Sequence, residues 1–124
     1  MHIITTVGPE NSTKTVLPFV AAKGALSRGT SARFFAMQAR SHLPGQHASR
    51  RPHGAKAPGL PTVQTVQAVL DELLSHDALD EFIVCRPCAE ARNITADDLA
   101  DWTTFGGADA LARQAELNVT TFTF

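Results

Sequence analysis

An apolar, β-branched stretch that halts at a Gly-Pro pair, followed by a helical period and a second apolar stretch, admits few folds. His2 to Val7 is such a stretch and stops at Gly8-Pro9, the pattern of a buried strand and its exit turn. Val16, Leu17, Val20, Ala21, Ala25 and Leu26 then recur at helical spacing, with Ser12 or Thr13 as the cap. Pro18 lies near the first turns, where it costs less than in mid-helix. Arg28-Gly29 supplies a basic last turn and a glycine stop. Ser31 to Met37 is a second strand, so the chain opens with a βαβ unit whose crossover is right-handed.

Between Gln38 and Pro61 this rhythm dissolves. Four prolines, three glycines, three histidines and four Lys/Arg leave almost nothing to bury, and a loop of that length is usually functional or disordered. Val63 to Ser75 restores helical spacing behind Thr62, and Glu81 to Cys85 is a third strand. Pro87 fits the first helical position of a short helix from Arg86 to Arg92, with Asn93 as its left-handed stop. Thr95-Ala96-Asp97-Asp98 opens a brief helical or irregular stretch, and Trp102 to Phe105 is a short strand or a loop. Gly107 to Leu117 is a last helix and Val119 to Phe124 a last strand. The repeated alternation predicts an α/β sandwich with a mostly parallel sheet of about five strands. At 124 residues it is a single domain over 1–124, long enough to fold without a disulfide or structural metal.

The net charge of −1 hides a segregation. The first 70 residues hold eight of the eleven Lys/Arg and one of the twelve acids, a net of +7; the rest carry three Lys/Arg and eleven acids, a net of −8. Either the fold presents a basic and an acidic face, favouring head-to-tail association or anion binding, or the halves interleave in one sheet and the field cancels. The single Trp and seven Phe are not interleaved with basic residues as stacking platforms require, which argues against nucleic acid as a partner. No apolar run approaches the roughly 20 residues of a membrane span. The N-terminus has no basic n-region or cleavage site. With two cysteines in a C-x-x-C, the expected compartment is the reducing cytosol.

Chemistry centres on Val84-Cys85-Arg86-Pro87-Cys88. Ligands of parallel sheets bind beyond the carboxyl ends of the strands, and Cys85 ends a buried strand where a helix begins. The helix N-terminus, the adjacent Arg86 and the backbone amides there favour its thiolate. Cys88, one turn on, is within disulfide reach, the logic of an attacking and a resolving thiol. The plainer reading is a pair of buried cysteines, since free cysteine is among the most buried residues.

The run Val84 to Ile94 resembles the DsrE/DsrF-like family, which includes the YchN-type proteins: a strand, Cys, two residues, often a second Cys, then Arg-Gly and an aliphatic residue. The first strand and helix, Phe34-Phe35-Ala36-Met37, Asp98-Leu99, Gly106-Gly107, the Leu111 helix and Thr121-Phe122-Thr123-Phe124 are also similar. The resemblance covers most of the chain outside 38–61. It implies a flavodoxin-like three-layer sandwich, homo-oligomers (trimers or hexamers), and in some members a persulfide on the strand-end cysteine that relays sulfur between proteins. By position that cysteine is Cys85, and the arginine is Arg92. The usual glycine after it is here Asn93, which also accepts a left-handed backbone.

Two rival constellations are weaker. Cys85 and Cys88 with two of His42, His47 and His53 make a Cys₂His₂ set, but the spacings are loose for structural zinc, so no metal or other cofactor is expected. Gly8 to Lys14 lies between strand and helix, where anions bind, but lacks both glycine-rich phosphate fingerprints; Asn11 there is either a cap or a substrate contact. The expectation is therefore a thiol protein, a sulfurtransferase if it is an enzyme, with Cys85 and Cys88 reacting and Arg86, Arg92 and Asn11 binding substrate. Its alternative is an oligomeric binding module for an anionic molecule or acidic protein, with Cys85 incidental. A sulfur ringed by donors in an open cleft would favour the first, one packed among aliphatic side chains the second.

Overall fold

A computed structural model describes residues 1–6, 12–37, 66–117 and 120–124. In chain order the elements are β1 (His2–Thr5), α1 (Ser12–Ser27), β2 (Ala32–Ala36), α2 (Val66–Ser75), β3 (Leu79–Cys85), α3 (Arg86–Glu90), a 3-10 turn at Ala96–Asp98, β4 (Thr104–Gly106), α4 (Ala108–Glu116) and β5 (Thr121–Thr123). The strands form one sheet in the order β4-β3-β2-β1-β5, and every pairing is parallel.

Crossover handedness sets the layers. Right-handed connections stepping from β1 to β4 in one direction lay their helices on one face. The return from β4 to β5 traverses the sheet in the opposite sense and lays α4 on the other. Side chains alternate accordingly along β3. Phe82 and Val84 join Ile3, Phe34, Phe19 and Ala22 of α1, and Val69, Leu70 and Leu73 of α2. Ile83 and Cys85 turn to the opposite face with Phe35, against Ala110 and Leu111 of α4. On the first face an aromatic row crosses the sheet. Phe19 stacks on Phe34 at 5.3 Å, Phe34 on Phe82 at 5.1 Å, and Phe82 meets Trp102 edge-on at 5.5 Å. Trp102 thus precedes the strand at Thr104–Gly106 and serves the core instead, because a large ring gains more from burial than from sheet edge.

Three helices end in the same way. Gly29, Asp77 and Asn93 have φ of 71°, 53° and 55°. In each case the left-handed residue's N–H bonds three residues back and the next N–H five back: Gly29 to Leu26 and Thr30 to Ala25, Asp77 to Leu74 and Ala78 to Leu73, Asn93 to Glu90 and Ile94 to Ala89. These are Schellman closures, which satisfy the last helical carbonyls and redirect the chain. The sequence marks Gly29 and Asn93 for this role; Asp77 escapes notice because aspartate seldom takes it.

On the far face α4 is fixed by polar contacts. Gln114 Nε2 donates to Glu81 Oε2 at 3.0 Å and to the Phe34 carbonyl at 3.4 Å, and Arg113 pairs with Glu81 at 2.6 Å. Burial works to raise the Glu81 carboxyl, but Arg113, Gln114 and Arg33 outweigh it and hold the group below its ordinary value. These contacts explain why β3 begins at Leu79, two residues before the apolar pattern: Asp80 and Glu81 are charged, yet Asp80 pairs with Arg33 at 2.8 Å and with the Ser31 hydroxyl at 2.7 Å. Lys23–Glu72 at 2.8 Å joins α1 to α2. Two of these pairs link the basic half of the chain to the acidic half, so the opposed charges interleave among the described residues.

Pro18 is the seventh residue of α1 and fully buried. It therefore lies deeper in the helix than the spacing suggests, and offsets its missing N–H by packing its ring. The stretch 38–61 and the start of the second helix before Val66 lie outside the described residues.

At Gly29 an added Cβ meets nothing within 4 Å, so Gly29→Ala costs backbone strain alone, about 1–2 kcal/mol. Gly24, exposed in mid-α1, has equal room and an ordinary backbone, so Gly24→Ala stabilises by about 0.8–1 kcal/mol. Urea unfolding of the two variants should move the midpoint in opposite directions. His2 is fully buried, and burial holds it below its ordinary value near 6.5, against a hydrogen bond with Gln114 that works to raise it. The unfolded chain therefore takes up this proton first as pH falls. The stability is complete above about 6.5 and is lost progressively below it. The thermal midpoint of the wild type should drop more steeply between about pH 7 and about pH 5 than that of His2→Gln.

Candidate functional site

The chain leaves β3 and β4, neighbours in the sheet, toward opposite faces. After β3, Ala89, Ile94, Leu99 and Trp102 pack on the side of α1 and α2. After β4, Ala110 and Leu111 pack on the other side. Divergence of adjacent strands at their carboxyl ends is the topological switch point at which open α/β sheets bind ligands. Cys85 stands there, paired in register with Gly106. An added Cβ on Gly106 would come within 2.6 Å of Ile83 and 2.8 Å of Ala110. A glycine is thus what lets β4 and α4 close on β3 beside the cysteine.

Cys85 is both the last residue of β3 and the N-cap of α3, and its side chain caps no backbone N–H. Pro87 has no N–H, so the amides expected at this helix start are fewer by one. The thiol is 8% exposed and lies against Phe35, Ile83, Met37, Ala110 and Leu111. These surroundings are apolar, the packing expected of a core sulfur more than of one ringed by donors.

Cys88 is half-buried in the same cluster, and both cysteines are free thiols. Burial pushes the Cys88 thiol up, as do its hydrogen bond with Cys85 and the charge Cys85 carries when ionised; Arg92 pulls the other way. Arg92 also donates from its guanidinium to the Cys88 carbonyl at 2.9 Å, and Asn93, just after it, ends the helix in the left-handed conformation. Arg86 is exposed, its guanidinium 5.1 Å from the centre of the Phe105 ring. The structure thus gathers Cys85, Cys88 and Arg92, places Arg86 on Phe105 of the next strand, and leaves Asn11 outside the described residues. Phe105 and Gly106 are the neighbours that sequence reading leaves unassigned. Their signal, Phe followed by Gly-Gly, marks a turn but not which strand it lies beside. Among the described residues no cluster of three or more His, Cys, Asp or Glu could hold a metal ion; His42, His47 and His53 lie outside them. No described helix is long and apolar enough to cross a membrane.

No family model matches the chain, and no curated protein does. Solved structures do. The YchN protein of E. coli aligns with a TM-score of 0.64 over 99% of this chain and 97% of its own, at 17% identity. A protein of unknown function from Methanobacterium thermoautotrophicum aligns with a TM-score of 0.54 over 99% and 96%, at 11% identity. The chain therefore has the α/β fold of YchN, the fold that the resemblance around Cys85 implies.

Gly106→Ala should destabilise the protein by about 1–3 kcal/mol through overpacking against Ile83 and Ala110. A lowered urea midpoint with an unchanged slope would show it; an unchanged midpoint would mean that β4 does not close on β3 as described.

Proposed function

We propose that this chain is a DsrE-like thiol protein in which Cys85 accepts sulfur as a persulfide and relays it to an acceptor, the reaction of a sulfurtransferase. The observation that carries the reading is the position of Cys85 at the end of β3, at the switch point between β3 and β4. The YchN-like fold and the run from Val84 to Ile94 both support it. In the transfer a donor persulfide R–S–SH gives its outer sulfur to the Cys85 sulfur and leaves as R–SH, and the acceptor repeats the exchange in its turn. Arg92, beside Cys88, supplies positive charge next to the pair. Donor and acceptor are proteins or small persulfides of the cytosol, and the working form is a homo-oligomer, a trimer or hexamer. Leu17 and Val20, neighbours on the outward side of α1 and 38% and 40% exposed, suit such a contact.

The second reading is the oligomeric binding module in which Cys85 is incidental. It is favoured by the burial of Cys85 among Phe35, Ile83 and Leu111, since an apolar wall disfavours a thiolate.

Alkylation followed by mass spectrometry separates the two. A relay requires Cys85 to react at neutral pH faster than free cysteine and to gain one sulfur atom from a persulfide donor, with both properties absent in Cys85→Ser. A Cys85 that alkylates only on unfolding and takes up no sulfur leaves the binding module standing.

A further inference from the structure

We infer that Cys88 discharges the sulfur carried on Cys85, closing a Cys85–Cys88 disulfide and releasing sulfide. The inference rests on the persulfide reading above and adds a fate for the sulfur when no acceptor is bound. Cys85 is the N-cap of α3 and Cys88 lies three residues on, the two positions whose side chains meet across a first helical turn. Here both are free thiols packed in one cluster. The other side chains packed in their cluster, Phe35, Met37, Ile83, Ala110 and Leu111, are hydrocarbon or thioether and cannot attack a persulfide. Cys88 is also the more accessible of the two thiols.

The step balances within the protein. The Cys88 sulfur attacks the inner sulfur of Cys85–S–SH. The Cys85–Cys88 bond forms as the bond to the outer sulfur breaks. That outer sulfur leaves with the bonding pair and takes the Cys88 proton, departing as hydrogen sulfide. Sulfane sulfur is thereby reduced to sulfide while two protein thiols are oxidised to one disulfide. A dithiol reductant restores both thiols by exchange. The partly exposed thiol thus sets a limit on how long sulfur waits on the buried one.

The test loads the wild type, Cys88→Ser and Cys85→Ser with inorganic polysulfide, removes excess donor without reductant, and follows intact mass and released sulfide. The wild type should release one sulfide for each disulfide formed. Cys88→Ser should retain the added sulfur atom on Cys85 roughly tenfold longer or more, and Cys85→Ser should release none. Cys88→Ala repeats the comparison with an apolar replacement, and sulfide release from the wild type decides the matter even where a variant folds poorly. Added sulfur that persists equally in wild type and Cys88→Ser overturns the inference and leaves the relay intact. No added sulfur on either Cys88 variant, with no sulfide from the wild type, overturns the relay itself and this inference with it.

Discussion

Handedness governs this molecule. A parallel strand pair must be joined by a long connection, and an L-amino-acid chain makes that connection right-handed. Four strands laid down in sequence therefore stack their helices on one side, and only the step that reverses direction covers the other. In this chain the reversal comes after β4, the strand next to the one that carries Cys85. At such a reversal the two helix layers part, and among the described residues α4 is the helix that packs on the face of Cys85. Position of the sulfur and placement of the last helix are two results of one constraint.

Around the two cysteines two effects oppose each other. The cluster around Cys85 is apolar, which penalises a charged sulfur. Arg92 brings positive charge to the neighbouring Cys88, against the burial that pushes that thiol up. A disulfide is tolerated in such surroundings more readily than a thiolate, because it carries no charge. Arg86 engages the Phe105 ring, a contact of about 0.5–1 kcal/mol at an exposed position, and so ties the start of α3 to β4.

The alternation of apolar strands and helical periods made the fold legible, because a buried parallel strand writes itself as a continuous run such as Phe82-Ile83-Val84-Cys85. The left-handed stops at Gly29 and Asn93 were equally plain. What stayed hidden depended on partners distant in sequence. Leu79 and Asp80 fall outside the strand read from Glu81 onward until Arg33 is placed beside Asp80. A strand of three residues, Thr104–Gly106, has no period to read. Cys85 and Cys88 were visible by spacing, whereas the apolar residues that pack with them come in large part from two other elements, β2 and α4. Arg92 was visible by resemblance, but its bond to the Cys88 carbonyl was not.

The aromatic row has an optical consequence. The chain holds one tryptophan and no tyrosine, so its ultraviolet emission issues from Trp102 alone. That indole rests edge-on against Phe82, three residues before Cys85 on the same strand. Loosening of β3 reaches the fluorophore through that ring contact. The protein thus carries an intrinsic reporter, set against the strand that ends at Cys85, whose emission follows the state of that strand without a label.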